Sequence, residues 1–123
     1  MVKGTQKRKL ALGRWGETAA AAYLEEKGYV IIEKNIRTPY GEIDILAKHQ
    51  DQLIFVEVKT RSSKRFGEPE AAVTEEKITH MIDSAQSYLQ EHPEVNQDWR
   101  IDVIAILQVR GEQPVITHFE NAV

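Results

Sequence analysis

Cysteine is missing from this chain of 123 residues, and that absence excludes disulfides, thiolate zinc sites and cysteine nucleophiles. The composition fits a reducing cytosol, so a cytoplasmic protein is expected. No apolar run approaches the roughly 18 residues needed to span a bilayer, so no membrane association is expected. The opening stretch MVKGTQKRKL lacks an apolar h-region, so no signal peptide is expected. Repeats, low-complexity tracts, a Gly-rich phosphate loop and a nucleophilic serine motif are also missing. His49, His80, His92 and His118 show no metal-ligand spacing, which leaves them turn or surface roles.

A strong excess of either charge is lacking too. The net charge of −3 alone argues against a dedicated nucleic-acid binder. The distribution says more than the sum. Residues 1–14 carry Lys3, Lys7, Arg8, Lys9 and Arg14 and no acid, and a second basic run holds Lys59, Arg61, Lys64 and Arg65. Two local positive segments on an acidic chain fit either an anionic partner or a basic tail plus a solvated loop.

With 41% hydrophobic residues the chain can bury a core, and its length suits one compact domain over residues 1–123, with 1–8 as a flexible basic tail. Residues from about Lys7 to Lys27 read as a helix stopped by Gly28. YVIIEKNIRT reads as a strand, and GEIDILAK and LIFVEVKT as two more joined by HQDQ in a hairpin. RSSKRFGEPE reads as a loop. A second helix is expected from about Thr74 to Glu91, with Glu75 and Glu76 suiting the dipole of its first turn. WRIDVIAILQV and the weaker PVITHFE complete the order αβββαββ. This predicts an α/β (α+β) fold with a mixed central sheet, flanking helices and a parallel crossover between the third and fourth strands.

The hairpin carries charge where a sheet should be apolar. Alternation places Glu42, Asp44 and Leu46 on one side, and Phe55, Glu57 and Lys59 share a side of theirs. A turn centred on Gln50 and Asp51 pairs Leu46 with Phe55, and by continuation Asp44 with Glu57 and Glu42 with Lys59. Opposed carboxylates about 5 Å apart repel. Protonation, an intervening basic group or a bridging cation would relieve this, and hard oxygen ligands suit Mg²⁺. From the pattern alone, a cross-strand ladder of surface ion pairs is the more ordinary reading.

Taken together, GRWGETAAAAYLEEKGY, GEIDILA, FVEVKTRSSKRFGEPEAAVTEEK and WRIDVIAI resemble the YraN family over about residues 13–107. Asp on one strand, Glu-x-Lys on the next and Glu on a preceding helix resemble the PD-(D/E)xK nuclease superfamily. That resemblance implies a restriction-endonuclease-like core related to archaeal-type Holliday-junction resolvases. It implies that Glu17, Asp44, Glu57 and the Val58 carbonyl hold Mg²⁺, or Mn²⁺ as its substitute. Lys59 would orient or deprotonate the attacking water. Ile43 stands where the motif's name has proline. The activity implied is metal-dependent phosphodiester hydrolysis, as an endonuclease on branched or otherwise structured DNA. The alternative is a nucleic-acid-binding module without turnover.

Around this set, Arg14, Arg61, Lys64, Arg65 and Lys77 are expected to contact phosphates. Glu42 and Asp102 are expected to support the site from behind, Asp102 by pairing with basic residues. Trp15 is expected to anchor the core. Glu17 heads a stripe with Ala20, Ala21 and Leu24, which would put it at the helix–sheet boundary. A homodimer is conceivable by analogy with resolvases.

Overall fold

The structure is a computed structural model that describes residues 4–123, with side chains from Lys7 onward except that of Phe66. The elements follow the order α1 (Gly4–Glu26), β1 (Val30–Thr38), β2 (Gly41–His49), β3 (Gln52–Arg61), two short 3₁₀ turns (Lys64–Phe66 and Pro69–Ala72), α2 (Glu75–Glu91), β4 (Asp98–Leu107) and β5 (Val115–Phe119). This is the expected αβββαββ order. The five strands form one mixed sheet in sequence order. Its pairs are antiparallel except β3 with β4, which run parallel on either side of the α2 crossover.

Strong helix formers give α1, and a left-handed residue ends it. Gly28 has φ 91°, the Gly28 amide donates to the Glu25 carbonyl, and the Tyr29 amide reaches back to that of Leu24. Those two bonds satisfy terminal carbonyls that the helix leaves open. Helix α1 already runs from Gly4, ahead of the expected Lys7 start and through residues 4–8 of the expected tail. The remainder of that tail, residues 1–3, lies outside the described residues, as does Lys3 with it. Helix α2 begins at a Thr74 cap whose hydroxyl accepts from the Lys77 amide.

The helices cover opposite faces of the sheet. Ala20, Ala21 and Leu24 of α1 pack on Ile45, Ala47, Ile54, Val56, Ile104 and Ile106. Met81 and Ala85 of α2 pack on Leu46, Leu53, Phe55, Ile101, Val103 and Ala105. Each large side chain fully buried this way contributes on the order of 1.5–3 kcal/mol. The strand period of two explains the division in β3 and β4, where odd positions face α2 and even positions face α1.

The β2–β3 turn is centred where expected. Gln50 and Asp51 have φ of 49° and 64°, a two-residue loop whose twist suits the hairpin. Lys48 pairs with Leu53 and Leu46 with Phe55. The continuation does not hold. The ladder ends at Ile45 with Val56, so Asp44 and Glu57 are not ladder partners, nor are Glu42 and Lys59. Alternation on β2 also fails there: Ile45 and Ala47 pack toward α1, but Ile43 joins Leu46 on the α2 side. The expected grouping of Asp44 with Leu46 therefore breaks. The cause is a side chain, described next.

Candidate functional site

Beyond Ile45 the Val58 amide donates to Asp44 Oδ2 at 2.8 Å. A carboxylate takes the acceptor role that a neighbouring strand would otherwise fill, so the two strands part at this point. The parting opens a cleft of about 620 Å³ whose lining includes Glu17 of α1, Asp44 of β2, Glu57, Val58, Lys59 and Arg61 of β3, and Lys77 of α2. All four residues expected to be catalytic line this one cleft.

Carboxylate oxygens of Glu17 and Asp44, which line the cleft, and of Glu42, which does not, lie within 4.8 Å of one another. Glu42 therefore stands in the acidic cluster itself. Glu57 turns toward α2, where Oε1 lies 3.5 Å from Lys77 Nζ. Crowding shifts the acids in one direction. Burial, then the charge of Glu57, raises Asp44 from 3.8 to about 7, against the opposing hydrogen bond from Val58. Burial likewise raises Glu17; a hydrogen bond from Asn35 opposes this, and the charge of Glu42 reinforces it. Lys59 moves down, first through the charge of Lys77, then through burial and through Arg61. The carboxylates of Glu17, Glu42 and Asp44 form a donor set of hard oxygens, and these residues fit a divalent cation such as Mg²⁺.

Asn35 was not anticipated. With its amide nitrogen turned toward the acids, it donates at 2.9 Å to both Glu42 Oε1 and Glu17 Oε1. The amide orientation is the one that the two carboxylates require. Its backbone is left-handed, with φ 55°, in the middle of β1. The signal available was the residue type, because Asn is depleted in strands and tolerates this conformation.

Helix α1 approaches β3 at Gly16. A β-carbon there would collide with the Thr60 hydroxyl, which is buried with no hydrogen-bond partner among the described residues. Glycine is what allows the helix to lie close enough to present Glu17 to the cleft.

The basic residues divide. Arg61 and Lys77 line the cleft, joined by Lys9 of α1. Arg14, Lys64 and Arg65 are exposed outside its lining. Trp15, expected in the core, is 38% exposed on α1; the face of Gly16 and Ala20 does the packing instead.

Asp102 does not serve the cleft. It is fully buried, and Arg100 grips it through Nε at 2.9 Å and a second nitrogen at 3.2 Å. His118 Nε2 lies at 2.7 Å and the Asn121 amide donates at 2.9 Å. Burial would raise this carboxyl, but hydrogen bonds from His118, Arg100 and Asn121 outweigh it and hold it low. Its basic partners are thus Arg100 and His118, and neither lines the cleft. His118 is nearly buried, with 6% of its side chain exposed, and is not the surface residue expected. Among the described residues no helix is long and apolar enough to cross a membrane.

Comparison with known proteins places this geometry in a family context. The uncharacterised protein family UPF0102 matches residues 16–106. A UPF0102 protein of Syntrophomonas wolfei is 47% identical over 111 residues, covering 90% of this chain and 96% of the relative. One from Syntrophotalea carbinolica is 46% identical over 115 residues, with 94% and 93% covered. One from Rhodococcus opacus is 44% identical over 113 residues, with 92% and 96% covered.

Proposed function

The chain belongs to the uncharacterised protein family UPF0102, the YraN family of the motif resemblance, and we propose that it is a divalent-metal-dependent nuclease. The substrate proposed is DNA with branches or other irregular structure, met in the cytoplasm. The observation that carries this reading is the convergence of Glu17, Glu42 and Asp44 at the edge of a cleft that Glu17, Asp44 and Lys59 line together. Phosphodiester hydrolysis requires an aligned water and neutralisation of phosphate charge, and this constellation supplies groups for both.

Glu17, Glu42 and Asp44 would hold Mg²⁺, or Mn²⁺ in its place, and Glu57 and the Val58 carbonyl, from residues that line the cleft, are the further ligands proposed. Bound there, the ion supplies Lewis acidity toward phosphate oxygen and lowers the pKa of water. The chain's own residues do the rest. Asn35 fixes two of the carboxylates, and the Val58 amide fixes the third. Lys59, its proton loosened by Lys77, accepts a proton from water or donates to a phosphate oxygen. Arg61, Lys77 and Lys9 attract the polyanion, and Arg14, Lys64 and Arg65 extend the positive surface beyond the cleft. A homodimer would present two such clefts to a branched substrate.

The test is a cleavage panel of single-stranded, duplex, flapped and four-way DNA in Mg²⁺, Mn²⁺ or chelator, with Lys59→Ala and Asp44→Asn as controls. Metal-dependent cleavage lost in both variants is expected. An identical, metal-independent background for native and variant proteins on every substrate would remove the enzyme reading. Salt-sensitive binding in that case would favour a binding module without turnover, a reading helped by the engagement of Glu57 with Lys77.

A further inference from the structure

The Glu57–Lys77 ion pair has space on both sides. Beyond it lies a second hollow of about 210 Å³, lined in part by Tyr40, Glu42, Glu57, Lys77, His80 and Ser84. It shares Glu57 and Lys77 with the main cleft, and Glu42 with the acidic cluster. Tyr40 stands at its mouth on the β1–β2 turn, 57% exposed. That turn is braced. The Thr38 hydroxyl accepts from the Tyr40 amide at 3.1 Å and lies 2.7 Å from the Gly41 carbonyl. It also lies 3.1 Å from the hydroxyl of Ser84 on α2, which is almost wholly buried. An aromatic ring is thus presented to solvent on a turn tied to both the sheet and a helix.

We propose that this hollow receives the base of an unpaired nucleotide next to the phosphate that a cation at the acidic cluster would hold, with Tyr40 as its stacking face. The inference rests on the nuclease reading and narrows its substrate class to nucleic acid with an unstacked residue at the reacting position. A base inside a continuous duplex is sandwiched by its neighbours and cannot enter a hollow beside the phosphate. Stacking on an aromatic ring tolerates every base, because each has a π-face, so strand state and not sequence is selected. His80 offers a polar group at the hollow's wall for the base edge. Lys77 is placed to meet the phosphate between the two spaces.

The test uses the full chain and oligonucleotides carrying 2-aminopurine at one position, single-stranded or within a duplex. Binding is followed in EDTA and in Ca²⁺, and cleavage separately in Mg²⁺. Wild type is expected to quench the fluorescent base in the single strand and not in the duplex. Tyr40→Ala should lose that quenching and weaken single-strand binding about tenfold, with duplex binding unchanged, while Tyr40→Phe keeps both. Equal quenching and affinity for wild type and Tyr40→Ala would overturn the subsite, whether or not DNA is cut. Tyr40-dependent quenching without Mg²⁺-dependent cleavage would keep the subsite and remove the nuclease reading. No binding of any strand would remove both.

Discussion

Asp44 Oδ2 accepts the Val58 amide at 2.8 Å just past the last β2–β3 ladder pair. One hydrogen bond therefore performs two tasks: it satisfies a strand amide that has lost its neighbour, and it fixes a carboxylate at the mouth of the cleft. Burial and surrounding acids make this carboxylate hard to ionise, and the predictions concerning pH and metal follow from that conflict.

Without metal, stability should fall as pH rises through neutrality. Asp44 titrates at about 7 in the folded chain and near 3.8 when unfolded. Between those values the folded state keeps a proton that the unfolded state releases, so stability is highest below the window and declines across it. Glu17, also raised by burial, adds in the same sense. Unfolding free energies from urea titrations in EDTA from pH 4 to 8 should show a slope of up to about 1.4 kcal/mol per pH unit from Asp44. Asp44→Asn, which still offers Val58 an acceptor, should flatten it.

Adding Mg²⁺ or Mn²⁺ at pH 8 should raise the melting temperature of wild type, because an ion that binds only the folded state stabilises it. Asp44→Asn and Glu17→Gln should abolish most of that rise. A full rise in both variants would place the ion elsewhere.

Lys77 should set the proton affinity of Lys59. The Lys77 charge is the largest cause lowering the Lys59 pKa, and Lys77 also engages Glu57, which acts to raise it. Removing Lys77 withdraws the cation and frees the carboxylate, and both changes push Lys59 upward. In Lys77→Gln the acidic limb of the cleavage pH profile should move to higher pH, and the ¹⁵N titration of Lys59 should move with it. An unmoved titration would show that Lys77 acts only on substrate.

Gly16→Ala should destabilise the fold, though alanine favours helix by about 1 kcal/mol. The added β-carbon collides with the Thr60 hydroxyl, and such overpacking costs about 1–3 kcal/mol. Cleavage should drop along with stability, because Glu17 is the next residue. Thr60→Ala in the same chain removes the colliding oxygen, so part of the loss should return in a denaturation series.

Asp102→Ala should lower stability by about 3–5 kcal/mol, since it leaves the partly buried Arg100 with only the longer ion pairing to exposed Glu120, and His118 with only Tyr23. Its contribution is present above the unfolded value near 3.8 and is lost as pH falls through the lowered folded pKa. Metal affinity at pH 8, measured on the fraction still folded, should be unchanged.

What the sequence made legible was local. The helix stop at Gly28, the turn at Gln50–Asp51 and the register from Lys48–Leu53 to Leu46–Phe55 follow from nearby residues and fixed periods. The stripe of Ala20, Ala21 and Leu24 behind Glu17 does too. Continuing that register past Ile45 failed because a side chain took over a backbone bond, and no periodicity encodes that exchange. Asn35 reaches the site from β1, and Lys77, expected at the phosphates, also engages Glu57; both contacts depend on how distant elements pack. Trp15 and His118 were misplaced for the same reason. A residue type suggests a tendency, whereas the surface it meets decides its burial.

Strand β1 lies at the rim of the sheet, next to β2 alone. Its register slips between Ile31 and Glu33, and two residues later Asn35 bends the backbone into the left-handed region. A straight rim would offer an unbroken row of amides and carbonyls on which another chain could template itself. The same distortion that delivers Asn35 to the carboxylates interrupts that row, so the residue that organises the cleft also guards the protein against strand-to-strand polymerisation.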